Sequence, residues 1–205
     1  HIDDFKYELT KMLVKARGDY IKYADKVITV SEETANEIYK LFELYERPTV
    51  IYNTRPKEFT NQSIVSDKGT TNPLRELYNI DNHTSILLFQ GLLQPERGLD
   101  IAVKIMKYLN NCILIIAGTS ADNYIEKLKE IVIELDVKEK VIFTGFMPSD
   151  KLYEYSTYAD FLVYFGKRTV KNMDLTIPNK FFDYIMAGKT IISSDLKSIY
   201  NIINK

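Results

Sequence analysis

Charged residues that could handle an anionic ligand gather at three places in this 205-residue chain. The first is GLLQPERG, Gly91 to Gly98, where Gly91 permits a tight turn and Arg97 with Gly98 opens the next helix. Backbone N–H groups at a helix start, joined by a guanidinium able to make bidentate contacts, suit a diphosphate. An arginine in an ordinary surface turn would read the same way. The second place is FGKRTVKNMD, in which Lys167, Arg168 and Lys171 set three cations within five positions. Such a run is either a solvated face or, at the ligand end of a sheet, an anion-binding loop. The third is PNKFFDYIMAGKTIISS, Pro178 to Ser194. Helical spacing puts Phe181, Phe182, Ile185 and Met186 on one face and Lys180, Asp183, Tyr184 and Ala187 on the other. Pro178 suits a first helical turn and Gly188 the left-handed position that ends a helix. Lys180 and Asp183 are then either an exposed i,i+3 pair or members of a site.

Other chemistries find little support. The histidines are His1 and His83, which provide no His-based triad and no metal cluster. Neither Gly-x-Gly-x-x-Gly nor a phosphate loop ending in Gly-Lys-Ser/Thr occurs. The 15 tyrosines and 10 phenylalanines fall at core spacing, as packing rather than as a stacking platform for bases. A net charge of -1 supplies no global field for nucleic acid or an anionic membrane. The single cysteine, Cys112, excludes an intramolecular disulfide and suits a reducing compartment. No apolar run approaches the ~20 residues that span a bilayer, and the N-terminal residues lack the order of a signal peptide, so a cytosolic protein is expected.

The elements that must position these residues follow from periodicity. Helical spacing over DFKYELTKMLVKARGDYIKYA, with an interruption at Gly18, precedes the short strand KVITVS. Ser31 is placed to cap the helix EETANEIYKLFELY, and PTVIYN is a second strand. Residues 57–83 mix Pro, Gly, Asn, Ser and Thr and read as a linker, with a helical turn at PLRELY. From Ile86 the apolar runs ILLFQ, CILIIAG, VIFTGF, ADFLVYF and TIISS alternate with helical patterns at LDIAVKIMKYL, NYIEKLKEIVIEL, SDKLYEYSTY and NKFFDYIMA. That alternation predicts an α/β fold: a Rossmann-like parallel sheet with helices on both faces. Ser149 is expected to cap the helix KLYEYSTY. Ligands of such sheets sit beyond the carboxyl ends of the strands, which selects the loops after Gln90, Ala117, Thr144, Phe165 and Ser194.

In their order and spacing these blocks resemble the later part of glycosyltransferase family 4. They run from ADKVITVS and TVIYNTRPKEF through ILLFQGLLQPERGLDIAV, LIIAGTSADNYIEKL and KVIFTGFMPSDKLYEYSTYADFLVYF to PNKFFDYIMAGKTIISSD. The resemblance implies a retaining, metal-independent nucleotide-sugar transferase of the GT-B fold. It implies that residues 1–56 end the acceptor-side domain, that 57–83 connect, and that 84–205 form most of the donor-binding domain, with further family segments beyond both ends. It assigns the donor diphosphate to Gly91, Arg97, Gly98 and Lys180, and the nucleotide base to the turn Gly145, Phe146, Met147. Asp183, in a Pro-x-Lys-x-x-Glu variant, is assigned to the ribose hydroxyls, with one methylene less reach than glutamate. The resemblance supplies no catalytic residue and no cofactor beyond the nucleotide-sugar donor. The expected acceptor is a glycan, a lipid-linked group or a small molecule, with cell-surface polysaccharide synthesis in the cytoplasm, at the inner face of the membrane, as the setting. Two positions depart from the pattern: Leu92 stands where many members have an arginine, and Leu175 where a first glutamate is usual. Lys167 or Arg168 is the expected substitute for the missing phosphate cation. An epimerase or hydrolase of the same fold, or an inactive scaffold, fits the same blocks.

Overall fold

The computed structural model describes residue 15, residues 18–56 and residues 72–204. The first of its two sheets is minimal: β1 (Ile28–Thr29) runs parallel to β2 (Thr49–Val50), joined by helix α1 (Glu32–Leu41). Ser31 caps α1 by accepting from the Thr34 amide at 3.1 Å, and Glu32 and Glu33 sit at the positive end of the helix dipole.

Helix α2 (Pro73–Tyr78) leads into the main sheet, capped by the Asn72 side chain and closed by Asn79 in the left-handed conformation. Strand β3 (Ser85–Gln90) is followed by α3 (Leu99–Ile105), β4 (Cys112–Ala117) by α4 (Tyr124–Glu134), and β5 (Val141–Gly145) by α5 (Ser149–Tyr158). Strand β6 (Phe161–Tyr164) then leads through α6 (Lys171–Leu175) to α7 (Asn179–Met186), and β7 (Thr190–Ser193) to α8 (Lys197–Ile203). All five strands are parallel, in the order β5-β4-β3-β6-β7. The order reverses at β3, so the crevice between the ends of β3 and β6 is the topological switch point. The centre of the sheet is buried on both sides, with Leu88, Ile115, Ile116 and Leu162 fully covered, which is why these strands read as continuous apolar runs. Asp160 fastens the strand starts: its carboxylate accepts from the Ile86 amide at 2.8 Å and from Arg75 at 2.9 Å.

Several expectations change. Gly18 lies within helical residues 18–21 instead of interrupting them; there a Cβ would come within 3.0 Å of the Phe42 ring, so the glycine makes room for packing. Most of the expected linker, 57–71, and most of the first helical pattern lie outside the described residues. Ser149 begins α5 rather than capping it, with Pro148 ahead of it accepting from the Leu152 amide. The helices α6 and α8 had no periodic signal, since five and seven residues give too few turns to show one.

The largest difference concerns α7. Lys180, Phe181, Phe182, Asp183 and Tyr184 are all buried, while Ile185 is 47% exposed. Residues 180–184 are covered because the helix lies against the sheet end on one side and the 52–55 segment on the other, while Asn179 at its start is exposed. Tyr52 packs on Phe182 with ring centres 5.7 Å apart, and the Gln90 amide donates to the Tyr184 hydroxyl at 3.2 Å. Pro178 precedes the first helical residue, and Gly188 closes the helix at φ 65° as the sequence requires.

Candidate functional site

A cavity of about 440 Å³ occupies the switch point. From the β3 side Gln90, Gly91 and Arg97 line it; from the β6 side come Tyr164, Met173, Lys180 and Asp183. The turn after β3 is tightly bound: the Gly91 amide donates to the Ala117 carbonyl and the Leu93 amide to that of Thr119, each at 2.8 Å. A Cβ on Gly118 would fall 1.9 Å from the Gly91 carbonyl, and one on Gly98 1.9 Å from that of Phe165. Both glycines are therefore required for the loops to close around the cavity.

Lys180 is the most unusual group in it. The residue is 7% exposed, and its Nζ has no hydrogen-bond partner among the described residues. Its ammonium stands 3.8 Å from the centre of the Phe89 ring and 5.6 Å from that of Tyr164. Burial, and secondarily the charge of Arg97, push the Lys180 amine well below its ordinary range. Burial likewise raises the Tyr164 and Tyr184 phenols. Arg97 is held by a 3.1 Å bond from its Nε to the Gln94 side chain and forms no salt bridge among the described residues. Arg97 and the Lys180 amine thus share one cavity without forming an ion pair there, an arrangement that an anion with several acceptor oxygens would stabilise by supplying acceptors and favouring the protonated amine.

Asp183 also lines the cavity but is not alone. Nε of Arg55 donates to its Oδ1 at 2.6 Å and Nη2 to its Oδ2 at 3.2 Å, so the i,i+3 pair with Lys180 does not form. Nη2 also donates to the Ser149 carbonyl at 3.3 Å, which brings the turn after β5 alongside Asp183. In that turn Gly145 has φ 74°, its carbonyl accepts from the Gly118 amide at 2.9 Å, and Phe146 is 76% exposed. Gly145, Phe146 and Met147 are not among the residues that line the cavity.

The cation run is placed elsewhere. Lys167 Nζ lies 2.8 Å from Asp100 Oδ1, an ion pair whose angles fall short of a hydrogen bond, and Arg168 lies 3.4 Å from both Asp174 and Asp195. Lys171 pairs with Glu37. None of the three lines the cavity, and Leu92, where many family members carry an arginine, is itself 42% exposed. Leu175 contributes its carbonyl instead of a carboxylate: it accepts from the hydroxyls of Ser31 and Thr34. Among the described residues no group of three or more His, Cys, Asp or Glu could hold a metal, and no helix is long and apolar enough to cross a membrane. Sequence reasoning missed Arg55, a single arginine in an extended segment before Pro56, where no periodicity marks it.

A parallel α/β sheet flanked by helices is the architecture found in GT-B glycosyltransferases, and solved structures of that class share it. Over 92% of this chain and 49% of the other, the fold matches Alr3699/HepE of Anabaena, solved in complex with UDP and glucose, with a TM-score of 0.71 at 14% identity. WaaG, a glycosyltransferase involved in lipopolysaccharide biosynthesis, matches with a TM-score of 0.66 at 16% identity, over 87% of this chain and 46% of that one. In sequence, the chain is 29% identical over 143 residues to the uncharacterised glycosyltransferase MJ1607 of Methanocaldococcus jannaschii, covering 67% of this chain and 35% of that protein. The chain belongs to the family of glycosyl transferases group 1, whose profile matches residues 71–204. It spans about half the length of the solved relatives and about a third of the curated one.

Proposed function

We propose that the chain is the donor-binding part of a retaining glycosyltransferase that moves a hexosyl group from a nucleoside-diphosphate sugar to a glycan or lipid-linked acceptor. The observation that carries this reading is Lys180, buried without a hydrogen-bond partner in the cavity it shares with Arg97. When the bond from the anomeric carbon to the diphosphate oxygen breaks, negative charge grows on the departing phosphate, and two fixed cations in a shielded crevice stabilise it. In this reading Arg97 and Lys180 hold the diphosphate with no metal ion, and Gly91 and Gly98 let the backbone come close. The turn 145–147 meets the base and Asp183 accepts from the ribose hydroxyls. Residues 1–56 then belong to the acceptor-side domain and 84–205 to the donor domain, in a cytoplasmic protein working at the inner face of the membrane. The UDP bound by HepE and the lipopolysaccharide role of WaaG support this choice of donor and acceptor.

Titration calorimetry with UDP, GDP and ADP tests it. We expect at least one to bind, and Arg97→Ala to weaken it about 10- to 150-fold, as loss of a charge-assisted bond worth ~1.5–3 kcal/mol requires. Absence of binding by all three, or equal affinity in the variant, would remove the reading.

A further inference from the structure

Asp183 lines the cavity, yet its carboxylate is already engaged. Arg55 places one donor on each oxygen, Nε on Oδ1 at 2.6 Å and Nη2 on Oδ2 at 3.2 Å. Such a fork lies across the open edge of the carboxylate, between its two oxygens. A vicinal diol that gives one hydroxyl to each oxygen presents the same two parallel donors and needs the same edge. The lone pairs left over point outward from the two flanks of the carboxylate, away from each other, so one diol cannot reach both. The pair is shielded, with 23% of Arg55 and 11% of Asp183 exposed. Arg55 comes to it from 128 residues earlier, in the extended stretch after β2, where Asn53, Thr54 and Pro56 around it are exposed. Its Nη2 also donates to the Ser149 carbonyl at 3.3 Å, and its Cζ stands 5.8 Å from the centre of the Tyr153 ring, so the guanidinium has partners apart from the carboxylate.

We infer that Arg55 is an internal competitor for the diol-reading edge of Asp183, an autoinhibitory contact that a ribonucleotide must displace; this rests on the reading of Asp183 as the ribose contact. With Arg55 seated, the ribose hydroxyls find that edge occupied. With the hydroxyls seated, the stretch after β2 gives up this hold on α7 and keeps the side-chain bond from Asn53 to Asn179, at 2.9 Å. Because linked equilibria are reciprocal, whatever loosens Arg55 strengthens ribose binding, and ribose binding loosens Arg55 by the same factor. Occupancy of the donor site is thereby communicated to the leading segment. A lysine in place of Arg55 would supply the charge but could not span both oxygens.

Calorimetry on this chain tests it with three probes: the tightest binder among UDP, GDP and ADP, its 2′,3′-dideoxy analogue, and inorganic pyrophosphate. In Arg55→Met we expect the ribonucleotide to bind about tenfold tighter or more, as two hydrogen bonds to a freed charged group imply. The dideoxy analogue and pyrophosphate should stay within about twofold of wild type, since Arg97 and Lys180 are untouched. Arg55→Lys should give a smaller gain, and Asp183→Asn added to Arg55→Met should cancel it. Hydrogen exchange of the unaltered chain gives an independent reading: at saturation the ribonucleotide should speed exchange at residues 52–55 relative to its dideoxy analogue. Equal or weaker ribonucleotide binding in Arg55→Met, with pyrophosphate binding retained, overturns the competition and leaves the diphosphate reading standing. Equal exchange at 52–55 under the two ligands overturns it as well, whether or not the variant folds. A gain that survives Asp183→Asn overturns the ribose reading, and the competition with it. Failure of all three probes to bind the unaltered chain removes the proposed function itself.

Discussion

Two sets of cations, the run Lys167 to Lys171 and the pair Arg97 and Lys180, have opposite fates. The run Lys167, Arg168, Lys171 is the densest in positive charge, yet its members face Asp100, Asp174, Asp195 and Glu37. Lys180 and Arg97, 83 residues apart, meet in one cavity without a carboxylate partner. Charge density along the chain marks a surface that is already neutralised. What marks a binding site is a charge removed from water and left unsatisfied, a cost that folding accepts only where something else will make use of it.

The strongest way to break this contrast is Lys180→Met. If the lysine is held ready for an anion, pyrophosphate affinity should drop by about tenfold or more, while the empty protein gains ~1–3 kcal/mol from losing an unpaired buried group. The gain should depend on pH. The folded amine titrates well below 10.5, its ordinary value, so between the two values the unfolded chain binds more protons and wild-type stability rises with pH. The advantage of the methionine variant should therefore be largest below the folded value, shrink as pH rises through it and vanish as pH approaches 10.5; urea denaturation across pH measures it. A variant that is less stable at pH 7 would show that Lys180 is a structural group.

Ser31→Ala probes the satisfied side of the contrast. Its hydroxyl caps α1 and donates to the Leu175 carbonyl, so its removal should cost about 1 kcal/mol in the same denaturation assay and leave pyrophosphate affinity within twofold. The smallest effect is expected for Lys171→Ala and Arg168→Ala. Both ion pairs are largely solvated, so each substitution should change stability by about 0–1 kcal/mol, less still in high salt, with no change in binding. A binding loss there comparable to that of Lys180→Met would erase the distinction.

Most of the main sheet was legible because buried parallel strands must be apolar along their whole length. ILLFQ, CILIIAG, VIFTGF, ADFLVYF and TIISS each mark a strand, and the switch-point rule leads directly to the loop at Gly91. Three residues that line the cavity, Arg97, Lys180 and Asp183, could be singled out in the sequence because they share a motif with a known family. Three things were not. The burial of Lys180 and Tyr184 depends on what packs over α7, and helical spacing alone turns that face outward. The partnership of Arg55 with Asp183 is a contact between distant segments, each unremarkable by itself. The silence of Lys167 and Arg168 reflects carboxylates brought to them by folding, Asp100 by a different βα unit.

The first sheet and its helix fasten unevenly. Ser31 and Thr34 hold Leu175, Glu37 holds Lys171, Asn53 receives Asn179 as the acceptor of its amide, and Arg55 reaches Ser149 and Asp183. All of these anchor points but Ser149 belong to the segments around β6 and β7, whereas Arg97 belongs to the β3 side, and Ser149 follows β5 on that same side of the sheet. Among the described residues the leading segment is therefore tied mainly to one jaw of the crevice. A displacement of that segment would act on Asp183 and on the helix carrying Lys180 more directly than on Arg97, which belongs to the β3 side of the sheet. The spacing of the two cations is in this sense a gauge of how the leading segment sits, and a ligand that spans them resists its displacement.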